Sequence, residues 1–342
     1  MTHTSANLFR LPVLLAVATS IALCQSSPIV ASGTSFKTFT YKRIENIDVH
    51  ADVYRLQGNN PQPVILWLHG GGLIFGNRGA LPADEREQLL QAGYVVVAID
   101  YRLGPETKLP EILKDVEDAY RWIQEKGPTL FSADPRRVAI VGQSAGAYLA
   151  LMAGVRVHPS PKAIISFYGY GDIAGDWYSR PSAFFLSEQR VTKKEAFRAV
   201  SNRVLSESPL LPRYEFYVFC RQNGRWPQEI AGLDPLSQSE QLSNLSPERL
   251  VGPHYPPTFL LHGDRDTDVP YEMSERMAAV LQQQGVEHRL LKMEGFNHMF
   301  DVFPDGLPPE GKPVGLRNRK VAAAFQDVLG FLSRFLGPIR QN

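Results

Sequence analysis

Short, continuously apolar runs alternate along this chain with longer stretches in which apolar residues recur at helical spacing. The apolar runs predict buried strands at residues 64–68, 94–99, 137–141, 163–167, 258–261 and 288–291. The spaced pattern predicts helices at residues 83–92, 111–126, 145–153, 272–284 and about 317–335. This alternation, with strands that lack a polar face, is typical of a parallel sheet covered by helices on both sides.

The sequence also predicts an opening pair of strands and the end of one helix. A further pair of strands, at residues 36–41 and 49–54, precedes the alternation and is predicted to be antiparallel. The helix at 111–126 is predicted to end at Gly127 and Pro128, because neither residue favours a helix interior.

Residues 172–252 interrupt the alternation between two predicted strands and are rich in aromatic side chains. The large rings are those of Trp177, Phe184, Phe185, Tyr214, Phe216, Tyr217, Phe219 and Trp226. One interpretation is an apolar wall that contacts part of a substrate. For most of them we favour a small core of the inserted segment itself, because a segment of this length must bury apolar surface to offset its loss of chain entropy.

Composition and charge exclude several classes of function. The 342 residues are 44% hydrophobic and 21% charged, which is typical of one large globular domain or two small ones. With 36 basic and 35 acidic residues the net charge is +1, so no strong field attracts nucleic acid or an anionic membrane. The sequence has no P-loop, no dinucleotide fingerprint and no paired-cysteine metal spacing, and we predict neither a cofactor nor a metal.

The first 32 residues are predicted to be a secretory signal peptide. An apolar stretch at residues 11–24 is too short to span a bilayer comfortably, and small residues follow it. Cleavage is expected near Cys24 or after Ala31, which would make the protein secreted or periplasmic; an uncleaved membrane anchor is the alternative. Removal of Cys24 would leave Cys220 unpaired, and we predict that Cys220 is a buried thiol.

The pentapeptide Gly142-Gln143-Ser144-Ala145-Gly146 follows a predicted strand and opens a predicted helix. In this context a G-x-S-x-G sequence is typical of a nucleophile elbow, a strained turn that lifts a serine hydroxyl to the edge of the sheet. The flanking glycines leave space that a Cβ atom would fill. Ser144 is therefore the predicted nucleophile, and the N–H of Ala145 is a predicted oxyanion donor.

A second glycine-rich motif, His69-Gly70-Gly71-Gly72, follows the apolar strand at 64–68. Three successive glycines allow backbone N–H groups to turn into a cavity that side chains would otherwise fill. Fixed N–H donors are what the tetrahedral intermediate of acyl transfer requires. We predict that Gly71 and Gly72, together with Ala145, form an oxyanion hole.

Candidates for an acid and a base follow the last two predicted strands. His298 comes shortly after the strand at 288–291 and is the predicted general base. The sequence after the strand at 258–261 contains three aspartates, Asp264, Asp266 and Asp268, and residue type alone does not decide between them. The two that are not catalytic are expected to be turn-forming or solvated.

On these motifs the chain resembles the α/β-hydrolases of the esterase and lipase group, and it is similar to hormone-sensitive-lipase-like and feruloyl-esterase-like carboxylesterases. The segments AIDYRL at 98–103, LPE at 109–111 and DAYRW at 118–122 match the same group. The resemblance begins near residue 36 and is weak between 173 and 251. It implies an α/β-hydrolase fold with a mostly parallel central sheet, helices on both faces and a cap insertion after the sixth strand. The catalytic domain would comprise residues 33–342, with the cap at about 172–252.

The resemblance also assigns roles to individual residues. The H-G-x-x-D-x-x-V-P pattern of related hydrolases is present and implies that Asp266 is the catalytic acid. The chain order Ser144, Asp266, His298 is that of α/β-hydrolase triads. Asp100 and Arg102 are expected to form an ion pair that braces the oxyanion loop, without a chemical role.

Together these residues predict a secreted serine carboxylesterase whose partner is a small-molecule ester, with no nucleic acid and no stable membrane insertion after signal cleavage. His298 would take the proton of Ser144, Asp266 would orient His298, and water would release the acyl-enzyme. An arylformamidase-like amidase or a lipase of the same fold is an alternative. A catalytically inactive binding protein is another, although such proteins typically lose the serine or the histidine that this chain retains.

Overall fold

Eight strands form a single sheet in the computed structural model, which describes residues 34–303 and 315–337. They are β1 (Thr34–Ile44), β2 (Ile47–Leu56), β3 (Gln62–Leu68), β4 (Val95–Ile99), β5 (Ala133–Gln143), β6 (Ala163–Phe167), β7 (Thr258–Gly263) and β8 (His288–Met293). Their order across the sheet is β1-β2-β4-β3-β5-β6-β7-β8. β2 is antiparallel to both β1 and β4, and the remaining neighbours pair in parallel. The predicted signal peptide at residues 1–32 lies outside the described residues.

Helices cover both faces of the sheet. They are α1 (Ala83–Gln91), α2 (Leu109–Phe131), α3 (Ala145–Arg156), α4 (Asp176–Ser179), α5 (Ala183–Leu186), α6 (Lys193–Ala196), α7 (Leu210–Asn223), α8 (Ser239–Ser243), α9 (Glu272–Gln283) and α10 (Arg319–Leu336). One face packs α2, α3 and α9 against alternate strand residues such as Leu66, and the other packs α1 and α10 against the residues between them, such as Trp67. This arrangement confirms the predicted fold class. No helix within residues 34–303 and 315–337 combines the length and the apolar character needed to cross a membrane.

The end of α2 differs from its prediction. The sequence predicts a stop at Gly127 and Pro128, but the helix continues through both to Phe131. Phe131 is buried, and its ring packs against those of Phe39 and Trp122. A Cβ atom on Gly127 would lie only 3.0 Å from the Phe131 ring, so the glycine permits this close packing. The prediction was wrong because the packing of Phe131 outweighs the local cost of a glycine and a proline.

Residues 172–252 connect β6 to β7, where the insertion is predicted, and contain α4 to α8. Seven of the eight rings named above are buried or pack against buried residues, as we favoured, but they join the core on one face of the sheet and do not form a separate core; Phe184 is 40% exposed. Cys220 is a buried free thiol, as predicted. A buried ion pair, with Arg213 Nη2 2.7 Å from Glu106 Oε2, fastens the insertion to the body of the fold.

Asp100 and Arg102 each have a partner other than the expected one. Asp100 accepts hydrogen bonds from both the backbone N–H and the guanidinium of Arg78. Arg102 instead pairs with Asp115 of α2, with Nη2 2.7 Å from Oδ1. The predicted ion pair was therefore wrong. Arg78 lies in the loop that continues from the glycine motif, so Asp100 does brace that loop, but through a residue that sequence analysis did not consider.

Candidate active site

Ser144 lies on a sharp turn between the end of β5 and the start of α3. Its φ and ψ of 53° and −119° are a strained conformation for a residue with a side chain. A Cβ atom on Gly142 would lie 2.2 Å from the carbonyl oxygen of Gly146, and one on Gly146 would lie 2.2 Å from that of Leu68. Only glycine fits at either position, which explains why the serine is flanked in this way.

Gly71 and Gly72 shape the loop beside the serine. Their φ values of 107° and 61° favour glycine. A Cβ atom on Gly71 would lie 2.0 Å from the carbonyl oxygen of Phe75, and one on Gly72 would lie 2.9 Å from the ring of Tyr217. Among the described residues, the N–H groups of Gly71, Gly72 and Ala145 have no hydrogen-bond acceptor. Three backbone donors are thus available for an anionic oxygen.

Residues beneath the glycine loop hold its backbone in place. The ring of His69 stacks on that of Tyr101 with ring centres 4.1 Å apart, and the Tyr101 hydroxyl donates to the His69 carbonyl oxygen at 2.7 Å. Burial lowers the pKa of His69 to about 4, so this histidine is neutral at physiological pH. From the insertion, Trp226 Nε1 donates to the Gly72 carbonyl oxygen at 2.9 Å. The insertion therefore helps to fix the predicted oxyanion hole.

The predicted nucleophile, base and acid form one continuous row of contacts. His298 Nε2 lies 3.0 Å from Ser144 Oγ, and His298 Nδ1 lies 2.6 Å from Asp266 Oδ2. The three residues follow β5, β8 and β7, whose carboxyl ends meet at the same edge of the sheet. This geometry allows His298 to accept the serine proton while Asp266 holds the ring in one orientation.

The side chain of Asp266 is buried, and hydrogen bonds stabilise its negative charge. Its Oδ1 accepts the N–H groups of Asp268 and Val269, both at 2.9 Å. Burial by itself raises the pKa of Asp266, but the charges and hydrogen bonds of His298 and His262 hold it well below its usual range. Burial lowers the pKa of His298, and the neighbouring Asp266 carboxylate outweighs that effect and raises it. An ionised Asp266 would therefore stabilise an imidazolium at His298.

The structure separates the three candidate aspartates. Asp264 has the turn-forming role expected of it, since its Oδ1 accepts the N–H of Gly295 at 2.6 Å. Asp268 does not form the turn and is only partly exposed: its Oδ1 accepts from Arg221 Nη1 at 2.7 Å and from the Tyr217 hydroxyl at 2.5 Å. The expectation for Asp268 was wrong because both partners come from α7 of the insertion, which the sequence of the loop does not reveal.

His262 is a residue to which sequence analysis gave no role, and it lies directly beside the acid. Its Nε2 is 3.1 Å from Asp266 Oδ2 and 3.0 Å from the Val269 carbonyl oxygen, and its Nδ1 is 2.7 Å from Ser274 Oγ. The ring thus links Asp266 to its own loop and to α9. The signal was available, because His262 begins the H-G-x-x-D pattern that pointed to Asp266.

A cavity of about 150 Å³ opens beside Ser144, between the glycine loop and His298. Its lining is mainly apolar and includes Phe75, Leu210, Met299, Val302 and Phe303. Tyr217 and Asp268 add polar groups on the side of the insertion. A cavity of this size holds an apolar group of roughly six carbon atoms.

The pKa of His298 predicts how hydrolysis depends on pH. His298 can accept the serine proton only when it is neutral, so kcat/KM should fall as the pH drops through the pKa of the base. Because that pKa is raised, the acidic limb is expected to have its midpoint above the ordinary histidine value of 6.5. A profile of kcat/KM against pH with an uncharged ester measures the midpoint, and one below the ordinary value would contradict this prediction.

The α/β hydrolase fold family matches residues 65–302, which include Ser144, Asp266 and His298. Among curated proteins, a non-reducing polyketide synthase of Preussia isomera is 32% identical over 314 residues. That match covers 81% of this chain and 14% of the synthase, so the chain spans about one seventh of the length of this relative.

Two solved structures resemble the fold. An α/β hydrolase superfamily protein of Enterococcus faecalis has a TM-score of 0.67 at 22% identity, and the match covers 88% of this chain and 99% of that one. Carboxyl esterase 2 of the fungus Tuber melanosporum has a TM-score of 0.65 at 21% identity, with coverage of 92% and 90%. At such identities the likeness concerns the fold alone.

Proposed function

The chain belongs to the α/β hydrolase fold family, and from this premise we propose that it is a serine carboxylesterase that works through an acyl-enzyme. The observation that carries the proposal is the row of contacts from Ser144 Oγ to His298 Nε2 at 3.0 Å and from His298 Nδ1 to Asp266 Oδ2 at 2.6 Å. The glycine loop, with its unpaired N–H groups, lines the same cavity. Nucleophile, base, acid and oxyanion donors converge as acyl transfer requires.

In the acylation step, Ser144 Oγ attacks the carbonyl carbon of the ester, and its proton passes to His298 Nε2. The carbonyl oxygen becomes an oxyanion, which accepts hydrogen bonds from the N–H groups of Gly71, Gly72 and Ala145. When the intermediate collapses, the bond to the leaving alcohol breaks and the alcohol oxygen takes the proton from His298. An acyl ester of Ser144 remains.

In the deacylation step, a water molecule gives a proton to His298 Nε2 and attacks the acyl carbon. A second oxyanion forms in the same hole, and its collapse returns the proton to Ser144 Oγ and releases the carboxylic acid. Asp266 remains ionised throughout, because its role is to accept the Nδ1–H of His298 and to stabilise the imidazolium. No cofactor enters either step.

We propose that the preferred substrates are small, uncharged esters. The apolar lining of the cavity, with Phe75, Leu210 and Val302, supports an acyl group without charge. Its volume of about 150 Å³ supports a short acyl chain. The name of one structural relative, carboxyl esterase 2, supports ester hydrolysis as the reaction.

A substrate panel tests this proposal and its alternatives. The purified protein would be given p-nitrophenyl esters of increasing acyl length, a formanilide and an emulsified triacylglycerol. We expect the highest kcat/KM for acyl chains of about two to six carbons. A preference for the formanilide would indicate an amidase, and activity that appears only with the emulsion would indicate a lipase. Folded protein without turnover of any of them would contradict the proposal and favour a binding protein.

A further inference from the structure

Two carboxyl groups lie buried behind the candidate catalytic site, and the mechanism above uses neither. Asp301 is 0% exposed and Glu85 of α1 is 1% exposed. Burial raises the pKa of Glu85 well above its ordinary value, and the negative charges of Asp301 and Asp84 raise it further. The two carboxyl groups are also hydrogen-bonded to each other, which requires a proton on one of them.

The hydrogen bonds indicate which carboxyl group holds the proton. Asp301 Oδ1 accepts the Tyr168 hydroxyl at 2.8 Å, Oδ2 accepts Gln143 Nε2, and Glu85 is hydrogen-bonded to the same carboxyl group. Glu85 Oε1, in contrast, has no partner among the described residues. Asp301 thus has two donors from outside the carboxyl pair, whereas Glu85 Oε1 has none, and such donors stabilise the ionised form. We therefore expect the shared proton on Glu85, which would donate it to an ionised Asp301.

The partners of Asp301 connect it to both halves of the candidate catalytic site. Gln143 directly precedes the nucleophile Ser144 in the elbow. The ring of Tyr168 packs edge-on against that of His298, with ring centres 4.6 Å apart. Asp301 itself follows His298 by three residues, on the segment after β8. Asp301 thus contacts the turn that carries Ser144 and the ring that packs against His298, and it belongs to the same segment as His298.

We propose that Asp301, next to a protonated Glu85, is a positioning residue. It would hold the turn that carries Ser144 and the ring of His298 in their relative positions, and it would add a negative charge near His298. This inference rests on the proposed function, because it concerns the same base. It predicts two separate effects of removing the charge of Asp301. The positions of Ser144 and His298 relative to each other would become less well fixed, which lowers kcat. The imidazolium of His298 would also lose a stabilising charge.

Other charged groups near these residues determine the direction of the second effect. His298 is in contact with Asp266, and its pKa is raised first by Asp266 and then by Asp268 and Asp301. Asp301 is in contact with Glu85 from α1 and with Tyr168 after β6. Asp266 remains in place when Asp301 is neutralised, so the base still works. Its pKa should fall, and the acidic limb of kcat/KM should move to lower pH.

The test compares pH profiles of kcat/KM for the wild type, Asp301→Asn and Glu85→Gln. For Asp301→Asn we expect kcat to fall by about tenfold to a hundredfold and the acidic limb to move down by about 0.5 to 1 pH unit. Glu85→Gln is the conservative variant, since an amide N–H can replace the carboxyl proton as the donor to Asp301. It is expected to keep the wild-type acidic limb. Glu87→Gln is the control variant. It removes a negative charge from the same helix, but at a partly exposed site where Glu87 accepts a hydrogen bond from Gln91, so the acidic limb should not move.

The outcomes separate this inference from the proposed function. If the wild type hydrolyses esters and Asp301→Asn has the same acidic limb as the wild type, the inference is overturned and the esterase proposal is unaffected. A wild type that hydrolyses no ester at any pH contradicts the esterase proposal instead. If Glu85→Gln moves the limb as far as Asp301→Asn does, the assignment of the proton to Glu85 is wrong.

A second variant covers the case in which Asp301→Asn does not fold. Tyr168→Phe keeps the ring that supports His298 and removes only the hydroxyl that donates to Asp301. We expect kcat to fall by about threefold to tenfold, because one charge-assisted hydrogen bond in the linkage is lost. An unchanged kcat in a folded Tyr168→Phe protein would overturn the inference.

Discussion

Replacing Ser144 with alanine is expected to lower kcat for ester hydrolysis by roughly 10⁴-fold to 10⁶-fold while the protein stays folded. The Ser144 Oγ is the atom that would form the acyl-enzyme, and it lies 3.0 Å from the base. Alanine removes that atom and leaves the strained turn and its glycines unchanged. The remaining oxyanion donors can still polarise an ester, but they cannot form a covalent intermediate.

Ser208 provides the matched control for this prediction. It lines the same cavity, but its Oγ donates to the carbonyl oxygen of Pro209 and has no contact with the base. Ser208→Ala should therefore change kcat by less than about tenfold. The measurement is kcat with a p-nitrophenyl ester, with folding checked by circular dichroism. Retention of more than about a tenth of kcat in Ser144→Ala would remove Ser144 from the mechanism.

The second large effect is expected from Asp266→Asn, which should lower kcat by roughly 10³-fold to 10⁴-fold at neutral pH. Asparagine keeps the shape of the side chain but removes the charge that faces His298 Nδ1 at 2.6 Å. It also allows the imidazole to take the wrong tautomer, in which Nε2 carries the proton and cannot accept one from the serine.

Asp264→Asn is the control for Asp266→Asn, because Asp264 lies in the same loop and its contacts are with Gly295 and Lys292, away from the base. It should change kcat by less than about tenfold. Asp268→Asn is a poorer control, since Asp268 pairs with the buried Arg221 and its loss would leave that cation without its partner. A large loss of kcat in Asp264→Asn together with a near-normal kcat in Asp266→Asn would show that the acid was assigned wrongly. The proposed reaction class would not be affected.

The layout of the fold could be predicted because it depends on local patterns. Continuous apolar runs mark strands buried on both faces, and Leu66 and Trp67 show why: adjacent residues of β3 point to opposite cores. The strained turn at Ser144 and the glycine loop could be predicted for a similar reason. These segments require glycine, at Gly142 because a Cβ atom would lie 2.2 Å from the Gly146 carbonyl oxygen and at Gly71 because its φ is 107°, and this requirement is visible in the sequence.

What could not be predicted depends on contacts between distant segments. Asp268 and Arg221 are 47 residues apart, and nothing near either residue indicates the other. The same holds for Asp301, whose partner Gln143 is 158 residues away. The choice of Asp266 over its two neighbours came from a family pattern, because three aspartates in one loop are locally equivalent. The sequence encodes these pairs only through the tertiary structure.

The most direct test of the central claim, that Ser144 is an activated nucleophile, is labelling with a fluorophosphonate probe followed by mass mapping of the modified residue. We predict one adduct per chain in the wild type, located on Ser144, slowed by an excess of a substrate ester and lost in Ser144→Ala. Such a reaction requires a serine activated by a neighbouring base, so Ser208 and the other serines should not react. Folded wild-type protein that carries no adduct on Ser144, or equal labelling of Ser144→Ala, would contradict the claim.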